Sequence, residues 1–208
     1  MKHALAPSLT FCLLTLGLLL GHARAQDSSA NSKGAGGQNP HRTLPRPEDV
    51  GSMDGIIAAV YEVISGPAGQ KRDWERMRSL FAPGARLIPT SPARPPGSAP
   101  DAPLTGAEVY EPHVFDLEAF IERVDRNTQT QGFFERETAR RAETYGHVAH
   151  VWSTYEARHK ADDPKPFVRG INSIQLVNDG KRWWVVTIFW EAETTKTPIP
   201  DRYLKSAP

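Results

Sequence analysis

The segment that decides the fold runs from Phe133 to Glu191 and reads FFERETARRAETYGHVAHVWSTYEARHKADDPKPFVRGINSIQLVNDGKRWWVVTIFWE. Runs of β-forming residues separated by turn residues predict four long strands, Phe133–Thr144, His147–Arg158, Phe167–Val177 and Arg182–Glu191. Connections this short force neighbouring strands to pair antiparallel, because a parallel crossover needs about a dozen residues or more. The segment therefore predicts an antiparallel meander that contains no helix.

Far upstream of this meander, residues 1–25 have the pattern of a cleaved signal peptide. Lys2 and His3 form a basic start, an apolar run follows from Leu5 to Leu20, and Ala23-Arg24-Ala25 has the form of a cleavage site. We therefore expect an exported protein, either periplasmic or secreted. Cys12 is the only cysteine and lies within this signal. The mature chain is then expected to form no disulfide and to offer no thiol nucleophile.

Residues 26–51 are rich in Ser, Asn, Gly, Gln, Pro and Arg, a composition that predicts a disordered linker. The remainder, 52–205, has the usual size of one domain, with a Pro-rich inserted loop at 91–106. Removing Lys2 and Arg24 from the 25 basic residues leaves 23 basic against 24 acidic side chains. This balance gives no basic surface for nucleic acid and none for a membrane once the signal is cleaved.

Three amphipathic helices are predicted between the linker and the meander. Ser52, Asp73 and Asp116 are each followed by apolar residues at helical spacing, and each is a residue type that caps helix N-termini. Two short strands are expected between the second and third helices, at Ala85–Pro89 and Ala107–Val114. Helices followed by a run of strands indicate an α+β fold. One-sided helices packed in a curved sheet would leave a cone with an open mouth, where pockets commonly form.

Two motifs resemble the nuclear transport factor 2-like superfamily, which includes SnoaL-like and ketosteroid isomerase-like proteins. The segments 72–75 (RDWE) and 80–87 (LFAPGARL) are similar to the junction between that family's second helix and first strand. The segment 178–185 (NDGKRWWV) is similar to its final hairpin. The resemblance covers about 52–192 and implies a cone of three helices in a curved antiparallel sheet. It implies no particular reaction, since that fold hosts isomerases, hydrolases, dehydratases, ligand binders and assembly modules.

Strand alternation in 147–158 separates two sets of side chains. One face carries Val148, His150, Trp152, Thr154 and Glu156, and the other carries Ala149, Val151, Ser153, Tyr155 and Ala157. Which face lines a pocket is left open, so the candidates for pocket residues are Tyr61, His150, Tyr155, Glu156, Arg169, Asn172 and Trp190. Each of them also has an ordinary structural interpretation, as a core side chain or as a cross-strand partner.

The register of the last hairpin has two interpretations. A two-residue turn at 179–180 would place Asn172 opposite Thr187, whereas a three-residue loop at 178–180 would place it opposite Val186. We prefer the second because it separates the side chains more cleanly. It collects Val168, Ile174, Leu176, Trp184, Val186, Ile188 and Trp190 on one face, with Asn172 as the polar exception.

Both faces of the last strand are largely apolar, which indicates that the sheet is covered on both sides. The helices would cover one side. Large exposed apolar patches are uncommon on monomers, so we expect a homodimer formed through the outer sheet face. Members of the resembling family often dimerise in this way.

Several kinds of chemistry lack their usual signals. His147 and His150 point to opposite faces of a strand and cannot chelate one metal, so no metal site is predicted. No G-x-S-x-G, G-x-G-x-x-G or P-loop motif is present, and no cofactor is expected. The leading hypothesis is a domain that binds a small hydrophobic ligand or a protein partner in or around its cone pocket. The alternative is a cofactor-independent isomerase or hydrolase that uses acid–base chemistry with a carboxylate or a histidine.

Overall fold

The computed structural model describes residues 44–93 and 110–206, which belong to one unit extending from Gln38 to Pro208. The predicted signal peptide, most of the predicted linker and most of the Pro-rich loop lie outside the described residues. Within the described ranges, no helix has both the length and the apolar character needed to cross a lipid bilayer.

The helices are α1 Pro47–Val50, α2 Met53–Ile64, α3 Trp74–Leu80 and α4 Leu117–Thr128, followed near the C-terminus by a 3-10 turn, Asp201–Tyr203. The strands are β1 Phe81–Pro92, β2 Tyr110–Pro112, β3 Phe134–Tyr145, β4 Val148–Arg158, β5 Val168–Asn178 and β6 Trp183–Ala192. The four long strands agree with prediction to within about one residue at each end, and the three longer helices begin directly after their predicted caps.

All three predicted N-caps are present. The side chain of Ser52 accepts a hydrogen bond from Gly55 N at 3.0 Å. Asp73 and Asp116 accept from the amide three residues ahead in the same way, at 2.9 and 2.8 Å. These contacts satisfy amide donors that a helix start would otherwise leave unpaired, and they fix where each helix begins.

The sheet has the strand order β2-β1-β6-β5-β4-β3. The strands β3 to β6 form the predicted antiparallel meander, and β1 joins it by pairing parallel to β6. The inner face of the sheet and the buried faces of α2 and α3 form one core, which includes Ile56, Leu80, Val151, Ile174 and Val185. The predicted α+β fold, with helices packed on one face of a curved and mainly antiparallel sheet, is confirmed.

The ordered fold begins earlier than the predicted boundary at residue 52. Helix α1 lies within the segment assigned to the linker, and both Asp49 and Val50 in it are buried. The Asp49 carboxylate accepts two hydrogen bonds from the Arg76 guanidinium, at 2.7 and 2.8 Å. Asp49 thus forms a buried ion pair with Arg76. A prediction of disorder from composition alone does not detect such a contact.

Strand β1 is longer than the predicted 85–89 and starts directly after α3. Its pairing with β6 shifts between Phe81 and Arg86, and Gly84 there has φ of 78°. A glycine adopts this left-handed conformation without steric cost. The Pro83-Gly84 pair therefore forms a bulge in the strand instead of ending it.

Both predicted registers of the β5–β6 hairpin are wrong. Asn172 lies opposite Trp190, because the turn has four residues, 179–182, and the pairing shifts again between Gln175 and Leu176. The Asp179 carboxylate stabilises the longer turn by accepting from Lys181 N and Arg182 N, both at 2.9 Å. The shift leaves Val186 as an extra residue in β6. The side chains that precede Val186 therefore point to the opposite face of the sheet from the one expected.

As a result, the preferred grouping of β6 side chains was also wrong. Trp183, Val185, Ile188 and Trp190 contribute to the core side of the sheet. Val186 and Phe189 are exposed on the other side, and Trp184 is half-buried.

The C-terminal tail covers part of the outer sheet face. The Thr154 hydroxyl donates to Tyr203 O at 2.5 Å, and the Tyr203 ring lies 5.6 Å from that of Trp152. Elsewhere on this face Val148 is 52% exposed and Phe189 43% exposed. Part of the cover therefore comes from the chain itself, and dimerisation through the remaining patch stays a prediction.

Candidate functional site

A cavity of about 580 Å³ lies between the helices and the concave face of the sheet. Its walls are largely apolar, contributed by Val60, Ile64, Met77, Phe81, Leu87, Phe120, Val124, Phe133, Val168, Ile188 and Trp190. The rings of Phe120 and Trp190 pack edge to face in this wall, with centroids 5.9 Å apart. The volume falls in the range of about 300–1,000 Å³ that is usual for small-molecule pockets.

Besides the polar residues at 126–131, four polar side chains from four different elements line this largely apolar wall. Tyr61 comes from α2, Glu135 from β3, Tyr155 from β4 and Asn172 from β5. Tyr61 belongs to the buried stripe of its helix, and the other three lie on the concave side of adjacent strands. Apolar pockets with a few convergent polar groups are the usual form of a binding or catalytic site.

Glu135 is held at the start of β3 by the end of α2. Its backbone N–H donates to Ser65 Oγ at 3.0 Å, and Ser65 Oγ in turn lies 2.7 Å from Tyr61 O. Nearby, the buried Arg72 guanidinium donates to Ile64 O at 3.0 Å and Gly66 O at 2.7 Å, which fixes the C-terminal end of α2. Ser65 thus connects the Glu135 backbone to the C-terminal end of α2.

Burial raises the pKa of Glu135 to about 7, and the hydrogen bond from Asn172 opposes this rise. The bond joins Asn172 Nδ2 to Glu135 Oε1 at 3.3 Å. Among the residues that the structure describes, no Lys, Arg or His forms an ion pair with Glu135. A carboxyl with such a pKa is present in both protonated and ionised forms near neutral pH.

Tyr61 belongs to a chain of short hydrogen bonds. Its hydroxyl lies 2.6 Å from Ser153 Oγ, and Ser153 donates to Glu137 Oε1 at 2.5 Å. On its other side, the Tyr61 oxygen accepts from Asn172 Nδ2 at 3.0 Å. Burial is the main cause that raises the pKa of Tyr61, with the Glu135 charge next, so this phenol stays protonated.

Tyr155 also has a pKa raised by burial, with a further contribution from Glu135. No hydrogen bond of its hydroxyl to another described residue is present. Gly170 on β5 makes room for its ring, because a Cβ at that position would lie 2.6 Å from the hydroxyl oxygen and 2.4 Å from Glu191 O. Tyr155 therefore offers a phenol donor to the cavity in a site shaped to hold it.

A second cavity, of about 650 Å³, shares Tyr61 and Glu135 with the first. Its lining is more polar and includes Arg136, Glu137, Arg140, Arg158, Asp162 and Asp163. Arg140 pairs with Glu137 at 2.6 Å and also with Asp54. Glu135 thus borders an apolar space on one side and a charged space on the other.

The structure brings four of the seven predicted pocket residues together. Tyr61, Tyr155, Asn172 and Trp190 all line the apolar cavity. His150, Glu156 and Arg169 are not among the residues that line it.

His150, Glu156 and Arg169 lie on the outer side of the sheet and have partners there. His150 Nε2 lies 2.9 Å from Ser173 Oγ, and Arg169 pairs with Glu193 at 3.4 Å. Glu156 accepts from Arg136 and Arg158, both at 2.6 Å, and the hydrogen bond from Arg158 is the main cause that lowers its pKa. The reason for all three is strand alternation, since the helices cover the face that carries Ser153 and Tyr155 instead.

Glu135, the central titratable group, was not predicted. Counting back from the turn at 145–148 would pair it with Arg158 on the outer face, but a shift between Glu137 and Ala139 pairs it with Ala157. The extra residue, Thr138, moves Glu135 to the inner face. A possible signal was the alternation of Phe133, Glu135 and Glu137 at the start of the strand, which places two carboxylates on the side of an aromatic residue.

Among the described residues, no group of three or more His, Cys, Asp and Glu side chains is arranged to hold a metal ion. Apart from residues 126–131, the polar groups that line the cavity are one carboxyl, two phenols and one amide. What they can do chemically is accept or donate a proton and hydrogen-bond an oxygen.

No family model matches the chain, and a search of curated proteins gives no match. Among solved structures, it is similar to a protein of unknown function with a cystatin-like fold from Nostoc punctiforme, with 10% identity and a TM-score of 0.47 over 67% of this chain and 87% of that one. A nuclear transport factor 2-like protein of unknown function from Shewanella baltica has 12% identity and a TM-score of 0.43, over 68% and 91% of the two chains. A proposed ketosteroid isomerase from Parabacteroides distasonis has 10% identity and a TM-score of 0.42, over 69% and 89%. Similarity at this level says nothing about what this chain binds.

Proposed function

We propose that the chain is an enzyme without a cofactor that binds a small, largely apolar molecule in the 580 Å³ cavity and transfers a proton through Glu135. The observation that carries this proposal is one carboxyl, without an ionic partner among the described residues, set in an apolar wall beside the Tyr155 hydroxyl. General acid–base catalysis works best when the pKa of the catalytic group lies near the working pH. The pKa of Glu135, raised to about 7, meets that condition.

The roles follow from the geometry. Ionised Glu135 would remove a proton from a carbon next to a carbonyl, and the electrons of that C–H bond would move onto the carbonyl oxygen. The Tyr155 hydroxyl would donate a hydrogen bond to this oxygen, which stabilises the developing negative charge in a site of low polarity. In a substrate with a β,γ double bond, protonated Glu135 would then return the proton to the γ-carbon of the dienolate. The double bond moves into conjugation with the carbonyl, and the carboxylate is restored.

A second candidate is a domain that binds an apolar ligand and does not transform it. The observation in its favour is the large apolar share of the cavity wall. In this alternative, Tyr155 and Asn172 would fix the orientation of a ligand oxygen, and protonated Glu135 would donate a hydrogen bond. We also propose export of the chain, on the basis of the signal pattern in residues 1–25.

The test has two steps. Native mass spectrometry of protein purified from its own source, together with thermal shifts across a panel of steroids, terpenoids and lipids, identifies compounds that bind. Bound compounds that carry a carbonyl are then incubated with the protein in D2O, and the deuterium gained is measured by mass spectrometry. The enzyme proposal expects exchange with the wild type and none with Glu135→Gln, which should still bind.

Two outcomes count against the proposal. Binding without exchange for every compound would favour the binding-only function. Equal exchange by the wild type and Glu135→Gln would place the proton transfer elsewhere. Tyr155→Phe provides a matched comparison, since it keeps the ring and should slow exchange while Glu135 stays intact.

A further inference from the structure

The hydrogen bonds around Tyr61 have only one consistent direction. Glu137 pairs with Arg140 and, as a carboxylate, can only accept, so the single Ser153 proton is committed to it. Ser153 Oγ must therefore accept from the Tyr61 hydroxyl at 2.6 Å. The Tyr61 oxygen in turn accepts from Asn172 Nδ2, whose second N–H points to Glu135 Oε1. The direction follows from counting protons along the chain.

We propose that Ser153 and Glu137 are positioning residues for this site: by accepting the Tyr61 proton through Ser153, they orient the Asn172 amide so that its nitrogen faces Glu135. This inference rests on the proposed function and extends it to residues that do not touch the apolar cavity. Ser153 is fully buried, and Glu137 lines the second, charged cavity. These hydrogen bonds therefore connect the two cavities.

The same direction of bonding gives the two tyrosines different tasks. The proton of Tyr61 is already used, and its oxygen already accepts, so Tyr61 cannot donate to a bound molecule. Tyr155, without a hydrogen-bond partner among the described residues, is the tyrosine that can. The sequence alone gave both tyrosines as pocket candidates and did not distinguish them.

Removing the Ser153 hydroxyl should reverse the direction of the hydrogen bond between Tyr61 and Asn172. Tyr61 would lose its acceptor, and a buried hydroxyl without a partner is unfavourable. The phenol proton would then turn toward Asn172, which requires the amide to rotate and present its oxygen. That rotation places the same oxygen against Glu135, where a protonated carboxyl can donate to it and an ionised one is repelled. The protonated form of Glu135 should therefore be favoured.

The other charged groups near Glu135 remain unchanged by this substitution. They are Glu62 on α2, Arg126 on α4, Arg136 and Arg140 on β3, Arg158 on β4, and Asp162 and Asp163 in the loop that follows. Their influence on Glu135 is common to all of the variants that keep them, so a difference between variants reports on the chain of hydrogen bonds.

The test is a titration of the Glu135 carboxyl carbon by NMR in the full chain without ligand, with 13C-labelled glutamate and the resonance assigned from Glu135→Gln. Ser153→Ala should raise the midpoint by about one pH unit, the size expected for an exchanged hydrogen bond. Tyr155→Phe is the matched control. It removes a phenol hydroxyl from the same cavity but leaves the hydrogen bonds from Glu137 to Asn172 intact. The midpoint should therefore stay near that of the wild type.

A folded Ser153→Ala protein, verified by its thermal transition, that titrates like the wild type overturns the proposal. If Ser153→Ala does not fold, Glu137→Met takes its place in the titration, because Arg140 keeps Asp54 as a partner. With no acceptor at position 137, the Ser153 hydroxyl donates to the Tyr61 oxygen instead. The hydrogen bonds from Tyr61 to Asn172 then reverse as they do in Ser153→Ala. An unchanged or lowered midpoint in Glu137→Met overturns the proposal. These readouts need no substrate, so they can fail or succeed independently of the proposed activity.

Discussion

Asn172 Nδ2 lies 3.3 Å from Glu135 Oε1, and this hydrogen bond joins an amide to a carboxyl that borders an apolar cavity on one side and a charged cavity on the other. The contact favours the ionised form, but burial has the larger effect and raises the pKa of Glu135 to about 7. The consequence is a group that changes its charge in the neutral range at the boundary of two cavities.

Stability should fall as the pH rises through the neutral range. Between the ordinary glutamate pKa and about 7, the folded state keeps the Glu135 proton while the unfolded state loses it. The unfolded state then binds fewer protons, so the free energy of unfolding decreases with pH, by up to about 3 kcal/mol for this group. Urea unfolding of the wild type and Glu135→Gln at pH 5 and pH 8 measures the effect.

The control in that experiment is the difference between the two proteins. Glu135→Gln lacks the titrating carboxyl, so the wild type should lose more stability than Glu135→Gln between the two pH values. Parallel pH profiles would mean that Glu135 has an ordinary pKa in the folded protein.

Filling the cavity should abolish binding of an apolar probe. Val124 on α4 is half-buried and lines the cavity, so Val124→Trp places an indole in the ligand space. Val148→Trp is a matched control, because Val148 is 52% exposed on the outer sheet face. Fluorescence titration with Nile red should show at least about tenfold weaker binding for Val124→Trp alone, about 1.4 kcal/mol. Equal affinities for both variants would place the dye outside this cavity.

Gly170→Ala should disturb Tyr155. The new methyl group would lie 2.6 Å from the Tyr155 hydroxyl oxygen and 2.4 Å from Glu191 O, so the neighbours must move. Overpacking of this kind costs about 1–3 kcal/mol. Chemical denaturation of Gly170→Ala, Tyr155→Phe and the double variant gives their coupling energy. Part of the cost should disappear in the double variant, and strictly additive effects would show that the ring and the glycine do not compete for space.

The N-terminal boundary can be tested by truncation. A chain that starts at residue 52 lacks Asp49 and leaves the Arg76 guanidinium without the partner that it holds at 2.7 Å. Breaking a buried pair from one side costs about 3–5 kcal/mol, less here because Arg76 also reaches Glu62 at 2.8 Å. Thermal unfolding should show a clearly lower midpoint for this chain than for one that starts at residue 44. Equal midpoints would restore the predicted boundary at 52.

The parts of the fold that depend on neighbouring residues could be predicted from the sequence. Ser52, Asp73 and Asp116 cap the helices for which they were chosen, and the turns fall where the turn residues stand. Such signals act within about four residues and do not require the tertiary structure.

What could not be predicted depends on two irregular pairings. The extra residues at Thr138 in β3 and Val186 in β6 each change the face of everything beyond them. Without the first, Glu135 would point outward. Without the second, Trp184 would lie with Ile188. Tyr155 and Asn172 were found because regular alternation holds through the central strands β4 and β5.

The most direct test of a proton-transferring carboxyl in this cavity is the NMR titration of Glu135 in the wild-type protein. The structure predicts a midpoint near pH 7, because burial raises the pKa and no ion pair with another described residue offsets this rise. A midpoint near 4.5, the ordinary glutamate value, would show that water reaches the carboxyl freely and would contradict its role as an acid–base group at neutral pH.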